Sequence, residues 1–117
     1  MVNRILVGGY TDAVSVLAFD PTTTPPTLRA ESLKQIGQNP SWVGRHPTRN
    51  DLAAATLEGS DGQLVLLKVN SDGDGQVEVL QTVSTKGADP CHIEWLEDQV
   101  VISNVKCSSL MKLDLTE

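Results

Sequence analysis

A seven-residue segment of this chain has a counterpart in the same register, with Gly at its first and Pro at its fourth position in both. Gly37-Gln38-Asn39-Pro40-Ser41-Trp42-Val43 aligns without a gap on Gly87-Ala88-Asp89-Pro90-Cys91-His92-Ile93, so the repeat period is 50 residues. Each copy is followed by a short strand, a second strand rich in Val, Leu or Ala, a polar turn and a third strand. In the first copy these later strands are Leu52 to Leu57 and Gln63 to Asn70; in the second they are Gln99 to Asn104 and Ser109 to Asp114. Ile5 to Ile36 reads as the same unit without its first strand. A period of 40 to 50 residues carrying four strands is the mark of a propeller blade.

The rest of the chain agrees. Its apolar runs are short, are broken by turn residues, and lack the 3.6-residue period of an amphipathic helix. Aromatic residues make up only 3% of the 117 residues, so the core must be built from Val, Leu, Ile and Ala, which suits strands. Asp61-Gly62 and Asp72-Gly73-Asp74-Gly75 supply turn chemistry, and Pro21 to Pro26 reads as an extended connection on an edge. The expected fold is all-β: antiparallel blades of three, four and three strands, about two and a half blades of a ring. The units are 1–36, an incomplete first blade, 37–86, a complete blade, and 87–117, an incomplete third.

Gly and Pro at each repeat start let the chain cross sharply from the outer strand of one blade to the inner strand of the next. The apolar residue that follows, Trp42 or Ile93, is expected between blades. A blade buries both faces, so an open piece leaves two apolar faces uncovered. Val14, Val16, Leu110 and Leu113 are expected there, with self-association as the consequence.

A net charge of −6 with scattered basic residues argues against nucleic acid as a partner. The apolar run at Ile5-Leu6-Val7 is too short for a signal peptide, and no run reaches membrane-spanning length, so no membrane partner and a cytoplasmic location are expected. Cys91 and Cys107 then stay thiols and read as small buried hydrophobes. Neighbouring residues on a strand point to opposite faces, so Cys91 and His92 do not readily chelate one ion; no metal and no cofactor are expected. Asp72 to Glu78 lacks the spacing of a calcium loop, there is no Gly-x-Ser-x-Gly nucleophile, and Gly8-Gly9 lacks a dinucleotide fingerprint.

Asn39-Pro40-Ser41, Gly87 to Ile93 and the opening Ile5-Leu6-Val7-Gly8-Gly9-Tyr10-Thr11 together resemble the N-terminal part of the lactonase family of seven-bladed propellers. That family includes propeller-type 6-phosphogluconolactonases and fungal carboxy-cis,cis-muconate cyclases. Leu57-Glu58-Gly59-Ser60-Asp61-Gly62 is most similar to fungal members. The resemblance implies a central channel whose mouth binds a small carboxylated substrate, a lactone, with acid and base chemistry from His, Arg and Glu. Two departures stand out. Asn104 is followed by Val105-Lys106-Cys107-Ser108 where members often have Asn-Tyr and a Ser- or Gly-rich turn, and the fourth and later blades are not in this sequence.

Against that background His92 is the first candidate for chemistry. A neutral imidazole on an inner strand can act as a general base, although it can equally bond a neighbouring loop. Glu58, at a strand end, can hold a proton or orient His92, or be a solvated turn residue. Asn104 can donate to a substrate oxygen or form a turn. Arg45 and His46 can hold an anion, or be exposed polar residues at a strand end. These assignments suit part of a lactone-hydrolysing or lactone-forming enzyme; a non-catalytic scaffold propeller and a truncated product without activity are the alternatives.

Overall fold

The computed structural model describes residues 2–105 and 108–112, the last five as backbone placement in a strand. Ten strands and no helix make up these residues. The first sheet is β1 (Asn3–Val7), β2 (Ala13–Asp20) and β3 (Thr27–Gln35). The second is β4 (Pro40–Arg45), β5 (Leu52–Leu57), β6 (Gln63–Val69) and β7 (Val77–Ser84). The third is β8 (Pro90–Leu96), β9 (Gln99–Asn104) and β10 (Ser108–Lys112). Every pairing is antiparallel and sequential, so each sheet is a meander of three, four or three strands. This is the expected order, and the fold is a partial propeller.

The central sheet explains why the pieces stay together. All six residues of β5 are buried, and Ala53, Ala54 and Ala55 at its middle have no exposed surface. Small side chains on both faces let flanking sheets approach closely. Ala53, Ala55, Val65, Leu67 and Val69 meet Val14 and Val16 of the first sheet. Ala54, Leu64 and Leu66 meet Ile93, Val100 and Ile102 of the third. The alternation along β5 and β6 thus sends successive residues to two separate cores.

The recurring Pro is set up by a recurring backbone. Asn39 and Asp89, each preceding it, lie in the left-handed region at φ 60° and 55°, which short polar side chains tolerate better than most. Each donates its N–H across to the preceding sheet's loop, Asn39 to Thr11 O and Asp89 to Gly59 O, both at 2.7 Å. The repeat is therefore a crossing device. Gly8 belongs to it as well, since a Cβ there would sit 2.0 Å from Pro40 O.

Three expectations about side-chain placement need correction. Val14 and Val16 do not lie on an open face; both are fully buried against the second sheet. The uncovered side of the first sheet instead carries Ile5, Val7, Leu28 and Leu33, with exposures from 41% to 69%. Cys91 is exposed, because a bulge between Pro90 and His92 takes it out of the alternation, and its Sγ lies 3.6 Å from Ser103 O. Trp42 does not drop between sheets either. The matching bulge between Pro40 and Trp42 hands that role to Val43, the partner of Ile93 in the repeat, and Trp42 stays 43% exposed. Ile93 is buried between sheets as expected. Cys107 and Leu113 lie outside the described residues, and of Leu110 only its place in β10 is described.

Candidate functional site in the inner-strand groove

The candidate residues separate to the two ends of the inner strands. Pro40 pairs with Leu57, so Glu58 follows the end of β5 beside the start of β4; His46 follows the other end of β4, its N–H bonded to Leu52 O. A six-residue strand puts about 20 Å between them. They cannot share one small ligand.

At the first end, Glu58 is fixed by its backbone. Its N–H donates to Asn39 O at 2.9 Å, and Asn39 Nδ2 donates to Glu58 O at 3.1 Å. The Tyr10 hydroxyl donates to the Glu58 carboxylate at 3.4 Å. The nearby negative charge of Glu58, then that hydrogen bond, hold the Tyr10 phenol above its ordinary pKa. The expected partner, His92, is elsewhere. Asn104 is buried, and its Oδ1 accepts the Thr85 hydroxyl at 3.0 Å, which ties the third sheet to the loop leaving the second.

At the other end, His46 is nearly enclosed and both ring nitrogens are engaged. Nδ1 accepts the N–H groups of Thr48 at 3.1 Å and Arg49 at 3.0 Å, so Nε2 carries the hydrogen and donates to Asp98 at 2.8 Å. Its ring tilts against Trp95 at 4.8 Å, and Trp95 Nε1 donates to Gly44 O at 3.1 Å. This cluster joins the second sheet to the third and leaves the imidazole no nitrogen for a ligand. Arg45, in contrast, is exposed and donates to Asn50 O at 3.2 Å.

Between the ends runs a groove of about 270 Å³ along the two inner strands β4 and β8, whose walls include Trp42, Arg45, His92 and Glu94. His92 lies on the face of β8 opposite Ile93 and is about half exposed. Its ring meets Trp42 edge to face, with centroids 4.5 Å apart and planes at 88°. Glu94, two residues on and therefore on the same face, places a carboxylate oxygen 3.9 Å from His92 Nε2. A base, an adjacent carboxylate and an aromatic wall thus stand together in one open groove, with Arg45 in its wall from the other face of β4. A larger groove of about 540 Å³ follows the β6–β7 hairpin, but Asp51, Asp72, Asp74 and Glu78 line it against a single Lys68. Its charge repels a carboxylated or phosphorylated ligand. No group of His, Cys, Asp and Glu side chains suited to a metal ion occurs among the described residues. No helix among them is long and apolar enough to cross a membrane.

Reading the sequence alone had not assigned Trp42, Glu94 or Tyr10 to the site. The repeat held the signal for two of them: Trp42 occupies in the first copy the place His92 takes in the second, and Glu94 follows His92 by the two residues that share a strand face.

A candidate 6-phosphogluconolactonase of Bacteroides uniformis superposes on 97% of the chain with a TM-score of 0.86 and 24% identity. A second, from Bacteroides fragilis, superposes on 88% with a TM-score of 0.77 and 22% identity. The chain spans about a third of each of those proteins, 34% and 29% of their lengths. No curated protein matches it. The family model "Lactonase, 7-bladed beta-propeller" matches residues 4–111, nearly the whole chain. Meander sheets that repeat every 50 residues and pack face to face are what that match describes, and the chain belongs to the lactonase family of seven-bladed β-propellers.

Proposed function

We propose that this chain is the N-terminal part of a lactonase-type propeller that hydrolyses the lactone of a sugar acid, and that the inner-strand groove is its contribution to the substrate site. The observation that carries the reading is the meeting of His92, Glu94, Arg45 and Trp42 on one open groove in a chain of this family. The candidate 6-phosphogluconolactonases among its structural neighbours favour hydrolysis over muconate cyclisation.

In this reading His92 accepts a proton from a water as that water attacks the lactone carbonyl, and Glu94 favours the imidazolium that results. Arg45 holds the substrate's anionic arm. Glu58, held by Tyr10 and the Asn39 loop, lies at the other end of the inner strands and serves as a proton acceptor there or as a rim residue. Asn104 and His46 act as structural ties. The protein works in the cytoplasm, where Cys91 remains a thiol.

Among the described residues the groove offers no pair of donors aimed at a developing oxyanion, and losing a single such donor costs about a hundredfold or more in rate. The chain alone is accordingly expected to bind without turning over. Calorimetry with 6-phosphogluconate should detect binding that weakens in Arg45→Ala and in His92→Ala, while 6-phosphogluconolactone is hydrolysed no faster than in buffer. Binding that ignores both substitutions, or no binding at all, contradicts this assignment of the groove.

A further inference from the structure

An exposed tryptophan in a groove wall is an unusual use of a large apolar side chain in a sequence with few aromatics. The chain has two Trp residues. Trp95 is spent on fastening sheets, with its indole N–H on Gly44 O and its ring against His46. Trp42 does nothing comparable. It is 43% exposed, the bulge at the start of β4 relieves it of the packing role that Val43 takes, and it stands in the wall of the inner-strand groove.

Its one ring contact among the described residues is with His92, edge to face. That contact fixes the orientation of the indole while leaving much of its surface open. A large flat side chain held in place and uncovered is suited to covering a flat or weakly polar ring face, because little further ordering is lost when a ligand settles on it. Arg45, three residues on in β4, pairs with Ala53 where Trp42 pairs with Thr56, so the two side chains leave the strand on opposite faces and the platform is Trp42 alone.

We propose that Trp42 is a specificity-determining platform: it selects ligands whose carbon skeleton is closed into a six-membered ring and covers one face of that ring. The inference rests on the groove being the substrate site, as set out above, and adds the discrimination of ring from open chain. Trp42 thereby distinguishes a lactone from its hydrolysis product. Opening the ring weakens the hold on the ligand at the side where His92 has just acted, which favours release of the product.

The test uses two probes of equal charge that differ in ring closure, glucose 6-phosphate and sorbitol 6-phosphate, titrated calorimetrically into the full chain. The wild type should bind the ring compound about tenfold more tightly, the size of one good ring contact. Trp42→Ala should bring the ring compound down to the open-chain level and leave the open-chain affinity unchanged, whereas Trp42→Phe should keep most of the preference. Because Trp42 is well exposed, thermal melts of both variants should match the wild type, and the Phe variant provides the comparison if the Ala variant does not fold. Equal binding of both probes by the wild type, or a preference that survives in Trp42→Ala, overturns the platform and leaves the groove assignment standing. If neither these probes nor 6-phosphogluconate bind, the groove assignment falls and takes the platform with it.

Discussion

The two interfaces of the central sheet solve the same problem with different chemistry. Both bury aliphatic side chains from alternating positions of β5 and β6, and both add polar ties between a flanking sheet and the central one, of which one on each side carries an ionisable side chain. Toward the first sheet the tie is charged. Arg4 on β1 pairs with Glu31 through two hydrogen bonds, of 2.6 and 3.1 Å, and its remaining donors reach Ser71 O at 2.5 Å and Gly73 O at 2.6 Å in the β6–β7 hairpin. Toward the third sheet the tie is His46 to Asp98, supported by Trp95 on Gly44 O. The ion pair neutralises itself within the first sheet and spends its spare donors on carbonyls, while the imidazole spends its acceptor on backbone N–H groups. In each case a hairpin that offers unpaired backbone groups is matched to a side chain of the complementary kind.

If the cores dominate and the ties only adjust them, the largest effect comes from the cores. Leu67→Ala removes a side chain from the first interface and Leu66→Ala one from the second, each fully or almost fully buried. Each is expected to cost about 2–5 kcal/mol in urea denaturation. A large inequality between the two would show that one interface, and not both, holds the chain together.

His46→Ala comes next. It leaves the N–H groups of Thr48 and Arg49 without their acceptor and removes the bond to Asp98, for about 1–3 kcal/mol. Hydrogen exchange should speed up at Ile93 and Ile102 and stay unchanged at Val14 and Val16. Acceleration at all four would mean that the two interfaces do not open independently.

The smallest effect is that of acid on the charged tie. Arg4, through its hydrogen bonds and then its charge, holds the Glu31 carboxyl below its ordinary value of 4.5. A depressed carboxyl contributes stability that is fully present above the unfolded value and is lost as pH falls through the folded one. Melting temperature should therefore decline below about pH 4.5 more steeply in the wild type than in Arg4→Ala. Parallel curves for the two proteins would remove Glu31 from the account.

The difference between interfaces also explains what the sequence revealed. The cores were legible because β5 and β6 follow strand alternation and the Pro registers fix where each unit starts. The ties were not, since Arg4 lies 27 residues from Glu31 and 67 from Ser71, and His46 lies 52 from Asp98; no local pattern marks such pairs. The site was half legible. His92 and Arg45 were found by residue type and line the groove, whereas Cys91 and Trp42 were misplaced for one shared reason. An extra residue after each recurring Pro, Ser41 or Cys91, interrupts the alternation there, so Cys91 stays exposed and Val43 takes the packing role expected of Trp42.

The central claim is that the inner-strand groove, and not the acidic one along the β6–β7 hairpin, faces the ligand. Its most direct test is a nitrogen-15 chemical-shift titration of the chain with 6-phosphogluconate. The account predicts the largest shifts at the backbone amides of Arg45, His92 and Glu94, with Asn70 to Glu78 unmoved. Shifts confined to Asn70 to Glu78, or none in the groove at saturating ligand, would contradict it.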